Sequence, residues 1–229
     1  IHQTFASSIT STGGSASLSV GTGNIALDSA TTLSAGVGDI ALTVGTGNIQ
    51  AFSTLAASNG ALTLSAPAGS ISGNTFTASS NATLTAGSGI AFDTLTAGGG
   101  ATLTTSTGGI TVGTSLMANG GNLTLTATSA GDIRVNDNGT VSASGDATLT
   151  LGSGSFVMTS GTSLSAANVS VTSARGDIAL GNGAMLTTAG AVTLRAIAGS
   201  ISQVTGGISA GGATTLSAGG DVNLQSSGN

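Results

Sequence analysis

Apolar residues return along this chain in a three-part cycle of about 22 residues, and within each part they alternate with serine, threonine or alanine. The first part is an apolar–hydroxyl–apolar strand, as in Ala16-Ser17-Leu18-Ser19-Val20, Leu62-Thr63-Leu64, Leu123-Thr124-Leu125 and Val192-Thr193-Leu194. The second is a glycine turn entering a strand: Gly23-Asn24-Ile25, Gly47-Asn48-Ile49, Gly69-Ser70-Ile71, Gly131-Asp132-Ile133, Gly176-Asp177-Ile178 and Gly199-Ser200-Ile201. The third is an apolar residue two places before alanine, from Leu33 and Ala35 through Leu55 and Ala57, Phe76 and Ala78, to Ile208 and Ala210, with Ile9 as a first copy. Alternation with period two is the mark of a half-buried strand, and no segment shows the 3.6-residue period of a helix.

Three strands and three corners in each cycle predict one coil of a parallel β-helix, so the chain reads as an all-β solenoid of about ten coils. Each strand then pairs with its equivalent one coil away at about 4.8 Å, which makes a rod on the order of 48 Å long. Parallel crossovers are right-handed almost without exception, and that hand is expected here. The core should be stacks of like side chains. One stack runs Ile25, Ile49, Ile71, Ile90, Ile110, Ile133, Phe156, Ile178, Ile201, Val222. A second runs Val20, Leu42, Leu64, Leu84, Leu103, Leu125, Leu151, Val171, Leu194, Leu216; the third-part residues supply another. The repeats leave no internal boundary, so residues 1–229 are expected to form one continuous shaft segment. Both ends fall inside the pattern without a polar cap, which suggests a piece of a longer chain.

Composition narrows the function. Glycine contributes 39 residues, but without a Gly-X-Y register and with Pro67 as the one proline the chain is not collagen. A mean hydropathy of +0.42 with 5% charged residues opposes disorder. A net charge of −5, with arginine only at 134, 175 and 195, argues against nucleic-acid binding. No apolar run reaches the roughly 18 residues of a spanning helix. The absence of cysteine excludes thiol chemistry and cysteine-zinc sites.

The glycine-rich corners, the apolar–Thr/Ser–apolar strands, the G-[DNS]-I turns and the third-strand apolar-x-Ala words resemble the shaft repeats of the filamentous-haemagglutinin family, the large exoproteins of bacterial two-partner secretion. The resemblance spans about residues 9–225. It implies a secreted or cell-surface adhesin, exported through an outer-membrane transporter and folding outside, with a host-cell or matrix receptor that the sequence does not identify. The Asn-Pro-Asn motifs of that family's secretion domain do not occur here, so the chain resembles the repetitive shaft.

Catalytic chemistry has few candidates. Asp132, Asp177 and Asp221 share one corner slot, with Ser155 and Ser200 on the coils between, so like carboxylates stand two coils apart, roughly 10 Å. That approaches the separation of an inverting glycosidase pair, yet equivalent corners do not provide two different environments. A turn aspartate normally bonds its own backbone. His2 lacks triad partners, and Arg134 and Arg175 read as surface charges beside nearby aspartates. Asn136-Asp137-Asn138-Gly139 is oxygen-rich but lacks calcium-loop spacing and reads as a turn. There is no Tyr or Trp, and at least three of the five Phe fall on core slots, which weakens a sugar-binding reading. No cofactor or metal site, catalytic or structural, is expected.

One regularity points outward. Hydroxyl residues form a column at Ser19, Thr63, Thr83, Thr102, Thr124, Thr150, Ser170, Thr193 and Thr215, and a second at Thr43, Ser65, Thr85, Thr104, Thr126, Thr172 and Ser217. Gly21, Ala41, Gly152 and Arg195 interrupt this candidate face. Strand propensity alone explains threonine on a solvent-facing strand, but a flat Thr-x-Thr surface also resembles that of ice-binding solenoids. The expected function is therefore a non-enzymatic adhesin shaft, with end-to-end or edge self-association as a further expectation. An ice-binding solenoid is the alternative, and a polysaccharide-active β-helix the third reading.

Overall fold

Parallel pairing between successive coils builds the whole structure, a computed structural model that describes residues 1–3 and 8–225. One sheet contains ten strands, from Ala16–Thr22 to Thr214–Ala218, each paired with its equivalent one coil away. The second and third parts of each coil form two further ladders, joined into one 17-stranded sheet. There is no helix among the described residues, and the architecture agrees with the expected right-handed β-helix.

Two of the three core stacks run as the sequence predicts. Ile25 pairs with Ile49, Ile49 with Ile71, Ile71 with Ile90, and the series continues through Ile133, Phe156 and Ile201 to Val222. The third-strand residues stack without a break from Ile9 through Leu33, Phe76 and Leu116 to Ile208. Most of these side chains are fully buried, and the alanines beside them stack in turn.

The first-sheet stack needs two corrections. Leu18, not Val20, pairs with Leu42, and Leu149, not Leu151, stands between Leu125 and Val171. Val20 pairs with Val44, and Leu151 with Ala127 and Ser173. A shift of two residues keeps every side chain on its own face, so the alternation itself could not distinguish the two registers.

The expectation of three separate strands per coil also changes in the first half of the rod. There the second and third strands fuse into the nine-residue strands Ile49–Ala57, Ser70–Ala78, Gly89–Ala97 and Ile110–Ala118. Corner length is the cause. A reversal by a β-turn uses four residues, and four separate Leu27 from Thr32 and Val135 from Thr140, where Thr31 N donates to Asp28 O and Gly139 N to Asn136 O. Asn138, with φ 59°, and Gly161, with φ 67°, take the left-handed turn positions. Only Asn74 separates Gly73 from Thr75, and only Asp93 separates Phe92 from Thr94. So short a link cannot close a turn, and the strand bends through an irregularity in register.

Candidate functional site

The first sheet turns its polar side outward, and the true register makes that surface more regular than the sequence suggested. One column is Ser17, Ala41, Thr63, Thr83, Thr102, Thr124, Thr148, Ser170, Thr193 and Thr215. The other is Ser19, Thr43, Ser65, Thr85, Thr104, Thr126, Thr150, Thr172, Arg195 and Ser217. Ser19 and Thr150 thus belong to the second column, and Gly21 and Gly152 lie outside the array. Ala41 and Arg195 are its two interruptions. Thr148 was missed; counting from the Asp146 corner rather than from Leu151 would have found it.

Spacing on this face is about 4.8 Å between coils and about 6.7 Å between columns. Thr63, Thr83, Thr85, Thr102, Thr148, Thr150 and Thr215 are exposed, while Thr104, Thr124, Thr126 and Thr193 are half-buried. A shallow hollow of about 450 Å³ follows the edge of the first column, lined by Thr83, Thr102 and Thr124 together with Gly100 and Gly121.

The corners hold the acidic residues, and their hydrogen bonds differ from the expected ones. Instead of closing on their own turns, the side-chain oxygens of two corner slots accept backbone N–H groups of the neighbouring coil. Asn24 Oδ1 accepts from Asn48 N at 2.8 Å, and Asn48 Oδ1 from Ser70 N at 2.8 Å. Further along the same slot Asp132 Oδ1 accepts from Ser155 N, Ser155 Oγ from Asp177 N, Asp177 Oδ1 from Ser200 N and Ser200 Oγ from Asp221 N. A second corner repeats the device: Asp39 Oδ1 accepts from Ala61 N, Asn81 Oδ1 from Gly100 N, Asn122 Oδ1 from Asp146 N and Asn168 Oδ1 from Ala191 N. The physical reason is that the corner's N–H lies beyond the reach of the ladder and points at the coil before it.

Other candidates stand apart from one another. His2 Nε2 lies 3.8 Å from Asp28 Oδ1 with both side chains well exposed, a weak surface pair. Arg134 Nε donates to Asn136 Oδ1 at 3.1 Å, and Arg195 sits on the hydroxyl face. The Thr159 hydroxyl and the Ser160 N–H hold the Asp137 carboxyl below the ordinary carboxylate range, with Arg134 adding a smaller pull. Among the described residues no three His or Asp side chains gather to hold a metal ion. Phe76, Phe92 and Phe156 are buried, whereas Phe52 is 45% exposed; Phe5 lies outside the described residues.

A family model described as repeats of unknown function (DUF5649) matches residues 166–229. No curated protein and no solved structure matches the chain. What the comparisons add is that the carboxyl-terminal coils are similar to a recognised repeat.

Proposed function

We propose that this chain is a non-enzymatic shaft segment of a secreted or surface-attached filamentous adhesin, a stiff spacer that carries binding regions away from the cell. One observation carries the reading: the core stacks continue across coils while the carboxylates of Asp39, Asp132 and Asp177 are spent on inter-coil hydrogen bonds. Such acids brace a rod rather than work on a substrate, and a solenoid of nearest-neighbour contacts sets length by coil number. Export through an outer-membrane transporter is part of the proposal and rests on the resemblance of the repeats.

The test removes whole coils in register from the protein displayed on its native cell. Deleting residues 82–100 joins equivalent positions, since Ala82 pairs with Ala101, and should shorten the rod by about 4.8 Å. Attachment to host cells or matrix should decline as successive coils are removed, while Asp132→Asn and Asp177→Asn leave it unchanged. Attachment indifferent to length, or glycan turnover abolished by either substitution, would sink the proposal.

The regularity of the hydroxyl face favours a second reading, ice binding through the Thr83–Thr102–Thr124 and Thr85–Thr104–Thr126 rows. Thermal hysteresis of the purified chain, lost on Thr102→Lys, would support it; no hysteresis at high concentration would end it.

A further inference from the structure

The outward side of the second strands carries a gap three coils long. The registers align Gln50, Ser72, Ala91, Thr111 and Arg134 in one outward column. The position before the isoleucine stack is Ser70, Gly89 and Gly109 on the same three coils, between Asn48 on one side and Asp132 on the other. Small side chains thus floor a trough closed at each end by larger ones. Two hollows, of about 270 and 310 Å³, share Ser72, Ala91 and Thr111 and so form one depression. Its bounding coils stand four steps apart, about 19 Å, which leaves a clear floor on the order of 14 Å.

Packing does not force this smallness throughout. A Cβ on Gly109 would collide with the Asp132 carbonyl oxygen, whereas one on Gly89 would need only a small give from the Gly109 carbonyl oxygen at 3.3 Å. Ala91 is exposed in mid-strand, where β-branched or aromatic residues pack best. The rim is chemically rich. Phe52 is the one exposed aromatic among the described residues, and Asn74 Nδ2 donates to its carbonyl oxygen at 3.1 Å. Asp93 is exposed on the next coil, and Gly113 leaves it uncovered, since a Cβ there would stand 2.8 Å from the carboxylate oxygen. At the far end the Arg134–Asn136 hydrogen bond ties the guanidinium to the rim.

We propose that this trough binds a neutral oligosaccharide of two or three sugar units. The proposal rests on the adhesin-shaft reading and names a ligand class for it. The Phe52 ring offers an apolar face to the C–H side of a pyranose, while Asp93, Asn74, Asn136 and the floor hydroxyls can accept from and donate to sugar hydroxyls. Asp93 is the one charged residue lining the two hollows, which disfavours an acidic sugar. A peptide strand is a poor occupant, because the backbone under the trough is already paired between coils and offers no free edge.

Isothermal titration of the full chain with maltotriose, cellotriose, mannotriose and the N-acetylglucosamine trimer tests the assignment. At least one should bind with Kd between about 10 μM and 1 mM. Phe52→Ala and Ala91→Leu should each weaken that binding about tenfold or more without changing the circular dichroism. Thr85→Ala, on the first sheet, should leave it unchanged. No binding at about 10 mM of any neutral trisaccharide, undiminished binding in both trough variants, or tighter binding of trigalacturonate would overturn it. The coil-deletion experiment is independent of these titrations, so a failed trough with length-dependent attachment removes only the glycan site.

Discussion

Replacing Ile133 with alanine tests the shaft reading at its most exacting point. Ile133 is fully buried between Ile110 and Phe156, near the middle of the rod. The substitution removes three carbons, worth about 2.4 kcal/mol at about 0.8 kcal/mol each. Collapse is restricted, because Ile110 N bonds Asp132 O at 2.8 Å and Ile133 N bonds Ser155 O at 3.0 Å, fixing both strands. The cavity term then raises the cost to about 4 kcal/mol. In a rod whose coils touch only their neighbours this loss falls on the Ile133 coil and its two junctions, a weakening of coupling across them that together approaches a thousandfold. Urea melts followed by circular dichroism, with hydrogen exchange on residues 16–127 and 147–218, should show the halves melting in separate steps or with a shallower slope. Val222→Ala, at a position already 48% exposed, should cost less than about 1 kcal/mol. The reasoning is refuted if the two variants shift the midpoint equally, or if Ile133→Ala keeps the wild-type slope and exchange rates in both halves.

Asp177→Ala leaves the Ser200 N–H without its acceptor and should cost about 1 kcal/mol, whereas Asp177→Asn keeps an oxygen in place and should be near neutral; urea melts showing the reverse order would contradict the corner ladder. Asp137 titrates below its unfolded value, so its contribution to stability is complete above the ordinary carboxylate range and is lost as pH falls through the depressed folded value. Asp137→Asn should therefore flatten the acid limb of stability against pH, and an unchanged limb would deny the shift. Truncation to residues 1–189 ends just after the strand Ala184–Thr188, leaves the preceding stacks intact and should preserve the spectrum per residue. A wholly unfolded product would defeat the nearest-neighbour account.

Two core stacks were readable because each has a local marker: the glycine turn before Ile49 or Ile71, and the alanine after Leu55 or Phe76. The first sheet lacks one. Ala147-Thr148-Leu149-Thr150-Leu151 offers three apolar positions in alternation, so Leu149 and Leu151 are equivalent to the eye, and Thr150 moved with them. The inter-coil corner bonds were not legible, since Asp177 in a turn looks the same whether it closes on itself or reaches its neighbour. Nor was the trough: Ser72, Ala91 and Thr111 are unremarkable singly, and their shared smallness acquires meaning only once the registers place them side by side.

The corner ladder separates the electrical character of the surface from its architecture. Asn24, Asn48, Asp132, Ser155, Asp177 and Ser200 all make the same bond in the same slot, yet some carry a negative charge and some carry none. Any side chain with an oxygen at the right reach satisfies the neighbouring N–H. Substitution among the three residue types can therefore repaint a line of the rod from neutral to anionic coil by coil, altering what the surface repels or attracts at a distance while the stacks beneath it stay as they are.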